Sequence, residues 1–424
     1  MNNKIELFFS GDKKKSLANG YIWNSIAGIL NAGQSVIILM VLARATTTYD
    51  AGVFSIAYAT ASLSLAIGCY GMRSFQVTDT NGLYSFSDYL SSRIITSGIM
   101  IMAVLMYVLY GYCFLDYDIQ KVSVIFVICM LKVIDSIEDV FHGMYQNHGR
   151  LDIGAKALTI RQAFTIGLLC ILLGTTNNLL VSSSITLVLS ILVSSYLIKV
   201  TLPNFADERI TINYKNTYKL LVSSFGVFLA GFLSLYIVNA PKYVVDNLLS
   251  YEKQVYYTYI SMPVFVIGLI STFLYQPILV KLADDWKQNK KRQFINRVLR
   301  QNLVIVILTV ITLVGGYFIG IPALSLIYAV DLSMYKDELL SLLFGGGLLA
   351  VAGFLTVIIT IIRRQKDLIW AYIIVSVFIC IIAPMLTLKY EVLGAAWAYT
   401  ISILILDVIF IIITVYHLNK SHKL

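Results

Sequence analysis

Long apolar runs separated by short polar segments dominate this sequence. Six runs extend for more than 20 residues without a charged side chain: Tyr21–Ala43, Ala51–Met72, Ile94–Leu115, Leu220–Pro241, Leu339–Ile362 and Leu368–Leu388. About 20 apolar residues in an α-helix cross the hydrocarbon core of a bilayer, which is ~30 Å thick. Only helices and closed barrels satisfy their backbone hydrogen bonds there. The runs therefore predict membrane-spanning helices.

Six further spans complete the pattern. The uncharged segment Gln162–Ile198 is too long for one helix and contains a turn-like cluster at 174–178, so it predicts two spans. The other four are Val122–Met144, Gln254–Val280, Gln301–Val330 and Val392–Tyr416. We predict an all-α polytopic membrane protein with twelve transmembrane helices. A hydrophilic linker at 202–218 divides it into two six-helix lobes, 1–201 and 219–424.

The composition supports the membrane class. The chain is 58% hydrophobic and 13% charged, with a mean hydropathy of +0.80, whereas about a quarter of the residues in a typical soluble domain are charged. The five cysteines lie inside predicted spans without a CxxC pair and are interpreted as packing residues. No metal site or cofactor is expected.

The distribution of basic residues predicts the orientation. With the amino terminus in the cytosol, 25 of the 32 Lys and Arg residues fall on the inner side, six fall on the outer side and Lys132 lies within the membrane. This bias predicts that both termini, and the linker at 202–218, are cytoplasmic. The basic run Lys287–Arg300 is interpreted as an anchor near anionic lipid, so the net charge of +9 does not indicate a nucleic-acid partner.

One predicted span differs from the others because it is charged. The span 122–144 contains Lys132, Asp135, Glu138, Asp139 and His142. At about 100° per residue these side chains share roughly 120° of arc. Lys132 lies roughly 15 Å from the outer end at ~1.5 Å per residue, close to the bilayer midplane. Charges at such depth face a bundle interior or a water-filled cavity and mark transport pathways.

Several segments resemble a known family. They are Trp23-Asn24 through Leu42-Ala43-Arg44 to the Tyr49–Phe54 sequence YDAGVF, Phe75–Asp79 with Tyr84–Tyr89 and Arg93, the pattern Asp139-x-x-x-Gly143-x-x-Gln146-x-x-x-Arg150, and Asn239–Tyr243 with Tyr259 and Pro277. On these segments the chain resembles the polysaccharide-transport branch of the MATE-like flippase (MOP) superfamily, the Wzx-type exporters of O-antigen and capsule repeat units.

The resemblance implies a function as well as a fold. It implies two lobes around a central cavity that opens alternately to each side of a bacterial inner membrane. It also implies a polyprenyl-diphosphate-linked oligosaccharide as cargo, with membrane lipid and the polymerase or export machinery as possible partners. Such a head group cannot cross hydrocarbon without losing hydration. A diphosphate calls for Lys or Arg, and the 28 Tyr residues offer aromatic faces and hydroxyls to sugars.

The candidate site residues form three sets. Cations that could bind the diphosphate are Lys132, Arg161 and Arg93. Carboxylates that could form a charge network, or couple transport to an H⁺ or Na⁺ gradient, are Asp135, Glu138, Asp139 and Asp407. Candidates for an outer gate are Arg44 and Lys242, at the outer ends of the first and seventh spans. We expect Lys132, Asp135 and Asp139 to line the water-accessible cavity and Asp407 to pair with a cation or a hydroxyl.

Other interpretations stay open. Lys132 and Asp135 could merely neutralise each other, and the acidic excess on the charged span suits ion coupling better than anion binding. Lys156 is interpreted as an anchor that reaches the interface. A multidrug or cation antiporter of the same fold is one alternative, and a membrane-embedded glycosyl- or acyltransferase is another. An enzyme is not expected, because the sequence has four His residues, no HExxH motif and no P-loop.

Overall fold

The computed structural model describes residues 8–9, 16–79, 82–205 and 213–420, and these residues are almost entirely helical. Within 16–79 and 82–201 the described residues form seven helices: Ser16–Ala45 (α1), Thr48–Cys69 (α2), Met72–Thr78 (α3), Phe86–Phe114 (α4), Ile119–Asn147 (α5), Leu151–Thr176 (α6) and Leu179–Thr201 (α7). All except the short α3 correspond to predicted spans.

The helices that follow the linker are more interrupted. They are Tyr214–Leu248 (α8), Tyr251–Ser261 (α9), Val264–Tyr275 (α10), Leu279–Lys287 (α11), Lys291–Gly315 (α12), Ile321–Tyr328 (α13), Lys336–Ile361 (α14) and Gln365–Lys420 (α15). The predicted eighth span comprises α9 and α10, and the ninth comprises α12 and α13. Within α15, Glu391 has non-helical backbone angles (φ 52°, ψ −128°) and separates the last two predicted spans.

Ten helices in the described part of the chain are long and apolar enough to cross a membrane. Helix α5 is not among them because of its charged stripe. Helix α15 is counted once, although Glu391 divides it. Each of the twelve predicted spans is therefore helical, and the predicted fold class is confirmed.

Local sequence signals explain where the helices begin and end. Asn177 adopts a left-handed conformation (φ 49°) at the end of α6, which Asn tolerates better than most residues. The Asn178 side chain then accepts a hydrogen bond from the Val181 amide at 3.0 Å and caps α7. Ser85 and Asp88 form a capping box that starts α4. These polar residues place the turn that was predicted at 174–178.

The chain divides into two compact units, Met1–Phe232 and Leu233–Leu424, called here the N-terminal and C-terminal units. The division falls within α8. Of the predicted linker, Leu202–Phe205 forms a short 3₁₀ turn and 206–212 lie outside the described residues. The lobe limits drawn from the sequence stay a prediction.

Helix α5 is central to the N-terminal unit, where it packs against α2, α3, α4, α6 and α7. A Cβ added at Gly68 in α2 would lie 2.6 Å from the Ser136 Oγ, so glycine is what allows α2 to approach α5 this closely. Gly143 similarly makes room for the Gln76 side chain of α3. The charged face of α5 is thereby covered by neighbouring helices.

Burial corrects part of the charge count. Arg93, Lys156 and Arg161 were counted as inner cations, but they are 1%, 5% and 3% exposed within the N-terminal unit. Lys156 does not reach outward as predicted; its Nζ donates to the Phe8 carbonyl at 2.8 Å. On the outer side, Lys121 and Lys242 are also buried. If these five buried residues are left out, 22 cations remain on the inner side and four on the outer side, so the direction of the charge bias is unchanged.

The charge bias leads to a topology prediction. Reporter fusions placed after Leu202 and after Arg292 should report a cytoplasmic location, and fusions after Asn247 and after Tyr335 an extracytoplasmic one. Paired alkaline phosphatase and fluorescent-protein fusions measure both sides, each fusion serving as the control for its partner. A reversed pair would contradict the orientation.

Candidate functional site

The charged stripe of α5 faces the interior of the N-terminal unit and meets cations from three other helices. The first cluster is centred on Asp135. Lys132 Nζ donates to Asp135 Oδ2 at 2.8 Å and to the Gln34 Oε1 of α1 at 3.1 Å. The Arg161 guanidinium of α6 bonds to the other Asp135 oxygen, and its Nε donates to Glu138 Oε2 at 2.7 Å. One carboxylate thus bridges two cations.

The second cluster is centred on Asp139, one turn further along α5. Its two oxygens accept hydrogen bonds from Arg73 of α3 at 2.9 Å and from Arg93 of α4 at 2.7 Å. Arg93 also donates to the Gly68 carbonyl at 2.8 Å, and Arg73 also donates to the Gln146 Oε1 at 3.1 Å. The clusters lie side by side, because residues four apart on a helix have Cβ atoms about 5–6 Å apart.

The two clusters together, called here the α5 network, contain four cations and three carboxylates. The charged face of α5 is acidic, as predicted, but the cations contributed by α3, α4 and α6 give the network a net positive charge. Such pairing is required, because a buried charge without a partner costs several kcal/mol. Additional positive charge makes the network suited to an anion.

Exposure differs along the α5 network. The Arg73 side chain is 34% exposed and Asp139 16%, whereas the Lys132 and Arg161 side chains are 7% and 4% exposed. Arg73 therefore forms the open end of the network, because Arg93, Lys132 and Arg161 are all buried, and Asp135 is about as exposed as Asp139.

The other predicted site residues lie apart from this network. Arg44 is exposed near the end of α1, where its guanidinium donates to the Met40 carbonyl at 3.1 Å, as expected of a cation at a helix carboxyl terminus. Lys242 is buried in α8, with its Nζ 5.9 Å from the centre of the Phe265 ring. Their role in an outer gate stays a prediction.

Asp407 does not have the partner that was predicted. It is 3% exposed in α15, and neither carboxylate oxygen has a hydrogen-bond partner among the described residues. A charged carboxylate in such a place is costly unless something neutralises it. Asp407 therefore stays a candidate for ion coupling, outside the α5 network.

Three residues of the network were missed by sequence reasoning. Gln34 is a polar residue in the middle of the apolar first span, a signal that could have been used. Arg73 was counted only as an inner cation. Tyr58 of α2 places its ring centre 5.5 Å from Lys132 Nζ, which is within the range of a cation–π contact; nothing distinguishes it from the other tyrosines in the sequence.

Comparison with known proteins finds a relative of similar length that is named for capsule biosynthesis. The capsular polysaccharide biosynthesis protein CapF of Staphylococcus aureus is 23% identical over 388 residues, which is 89% of this chain and 94% of that protein. No family model matches the chain.

Solved structures share the fold. An inward-facing multidrug resistance transporter of the MATE family superposes with a TM-score of 0.70 and 11% identity, covering 95% of this chain and 99% of that one. The lipid II flippase MurJ in an inward closed conformation superposes with a TM-score of 0.69 and 18% identity, covering 94% and 91%. The chain is therefore a multi-pass membrane protein with the fold of these MATE and MurJ structures, and a capsular polysaccharide biosynthesis protein is similar to it in sequence.

Proposed function

We propose that the chain is a flippase that moves a polyprenyl-diphosphate-linked oligosaccharide from the inner to the outer leaflet of a bacterial plasma membrane. Transport would proceed by alternating access, with both termini cytoplasmic and with H⁺ or Na⁺ as the coupling ion. The named function of CapF and the fold shared with MurJ support this class of cargo. The observation that carries the proposal is the excess of cations in the buried α5 network.

The geometry supports a stepwise entry of the diphosphate. Arg73, at the open end, can turn from Asp139 to the ligand, because Arg93 continues to pair with that carboxylate. Further in, Lys132 can exchange Asp135 for a phosphate oxygen, since Arg161 continues to pair with Asp135. In each cluster one carboxylate is shared by two cations, so one cation can leave without stranding a buried negative charge. Arg and Lys are the side chains that bind phosphate oxygens most strongly.

The same arrangement supports ion coupling. Cargo that recruits both cations of a cluster would leave Asp135 or Asp139 without a partner in a buried setting, which is costly. A proton or Na⁺ on that carboxylate would remove the cost. The carboxylates are thus the groups through which an ion gradient and the cargo would influence each other.

The net charge also distinguishes the alternatives. A cavity for cationic drugs needs an excess of carboxylates, whereas the α5 network has an excess of cations. For this reason we favour an anionic lipid-linked cargo over a multidrug antiporter, although the MATE transporter has a similar fold.

Deleting the gene tests the proposal. We expect lipid-linked oligosaccharide to accumulate in the membrane and surface glycan to disappear, with both restored by the intact gene. Extraction of polyprenyl-linked intermediates and immunodetection of surface glycan measure the two effects. A complementing copy with Lys389→Gln, an exposed cation outside the α5 network, is the matched control. Normal glycan export together with increased sensitivity to cationic drugs would favour the antiporter instead.

A further inference from the structure

A small cavity in the C-terminal unit contains a buried cation that has no anionic partner among the described residues. The cavity lies where α8, α9, α10, α14 and α15 meet. Its lining consists of Val238, Lys242, Tyr257, Ser261, Val264, Phe265, Leu342 and Tyr399. The enclosed space beside these side chains has a volume of about 20 Å³ and is open to the outside, so it has room for roughly one water-sized atom. None of them belongs to the α5 network.

Lys242 is the unusual member of this lining. It is 8% exposed, and no ion pair or hydrogen bond joins its side chain to any residue within the described ranges. Its aromatic neighbour Phe265, at 5.9 Å, provides only a weak attraction. Burial of an ammonium group without a counter-ion is costly. A ligand in the cavity would supply the missing negative charge.

Two phenol hydroxyls add donors on the same cavity. The Tyr399 hydroxyl is buried without a hydrogen-bond partner among the described residues. Tyr257 is 2% exposed and its hydroxyl makes no hydrogen bond within the same part of the chain. Gly345 is what lets the Tyr399 ring fit, since an added Cβ would lie 2.6 Å from its Cε1 atom. One ammonium and two hydroxyls, with no carboxylate in the lining, form a set of donors for an anion.

We propose that this cavity is an anion site that receives one oxygen of the phosphate group of a phosphate-bearing ligand, with Lys242 as its cation and Tyr257 and Tyr399 as hydrogen-bond donors. Lys242 lies near the end of α8 that the charge bias places toward the outer face, so the site would hold a phosphate on the outer side of the membrane. The inference does not depend on the function proposed above, because anionic phospholipid and a free or lipid-linked diphosphate present the same chemistry.

Anion binding to the full-length protein in nanodiscs tests the site. Inorganic pyrophosphate is titrated by calorimetry against the parent protein and Lys242→Gln in phosphatidylcholine nanodiscs. We expect Lys242→Gln to bind one pyrophosphate fewer per chain, or to bind it at least tenfold more weakly at that site, and Lys242→Arg to recover binding. Lys389→Gln removes an exposed cation of the same unit and should bind as the parent does.

A second arm identifies the source of the phosphate. Phosphatidylglycerol is added to the nanodiscs, and lipid retained by the protein is measured by native mass spectrometry. Retention that Lys242→Gln abolishes assigns the site to a lipid head group, whereas a loss of pyrophosphate binding alone assigns it to a free or cargo diphosphate. Either result supports the proposal. Equal binding of both probes by the parent and Lys242→Gln would overturn it. Lys132→Ala tests the α5 network separately. If that network does not bind anions, Lys132→Ala will bind as many pyrophosphate molecules per chain as the parent does.

Discussion

Replacing Lys132 with alanine is expected to abolish glycan export while the protein stays in the membrane at its normal level. The structure gives a reason for both effects. Lys132 is the lysine of the α5 network and its side chain is buried, and its loss removes the cation that we propose meets the diphosphate. The network nevertheless stays paired, because Asp135 keeps its contact with Arg161.

Surface glycan and the amount of membrane-inserted protein are the two quantities to measure for Lys132→Ala. Lys132→Arg, which preserves the charge, should retain part of the export. If Lys132→Ala exports glycan normally, Lys132 is only a counter-ion of Asp135. The binding cation would then have to be sought at Arg161, Arg93 or Arg73.

Replacing Arg161 with alanine should have a different and larger effect on stability. Arg161 is the only cation paired with Glu138 in the described residues, and Glu138 is almost completely buried. Its remaining side-chain partner is the Ser194 hydroxyl. Removing one partner of a buried ion pair costs about 3–5 kcal/mol. We therefore expect Arg161→Ala to lower the amount of folded protein and its melting temperature sharply.

A second substitution separates stranded charge from lost packing. In the double variant Arg161→Ala/Glu138→Gln the stranded carboxylate is gone, so a large part of the thermal stability should return. Melting temperatures of the purified proteins in detergent, measured beside Lys132→Ala, provide the comparison. Equal melting temperatures for Arg161→Ala and Lys132→Ala would contradict the assigned pairing of Glu138.

The carboxylates of the two clusters differ in the number of cations that they pair with, and this number decides what the loss of a cation costs. Asp135 and Asp139 each pair with two cations, so the loss of either cation leaves the carboxylate compensated. Glu138 pairs with one. Under the proposed function, this difference separates the cations that would be released to a ligand from Arg161, which also pairs α6 with Glu138 of α5. The charged span alone does not reveal it, since Asp135 and Glu138 are both acidic and lie on the same face.

The positions of the spans could be predicted from the sequence because each span meets the requirements of the bilayer by itself. Each apolar run is long enough by itself to cross hydrocarbon, and the turn at 174–178 is marked by two adjacent asparagines that end one helix and cap the next. The break at Glu391 separates the last two spans where the run Leu368–Leu388 ends. None of these features requires knowledge of a neighbouring helix.

The sequence by itself therefore determined the membrane class and the helical spans, whereas the depth of the charged stripe in the bilayer stays a prediction. It also showed the one ion pair formed within α5, because Lys132 and Asp135 are three residues apart on a single helix. Tertiary structure decided the rest. Gln34 lies 98 residues from Lys132 in the sequence, Arg73 lies 66 residues from Asp139, and Arg161 lies 26 residues from Asp135. Which helices pack against α5 depends on how all the helices fill the interior of the unit. The net charge of the α5 network is therefore decided by the tertiary structure and could not be predicted from α5 alone.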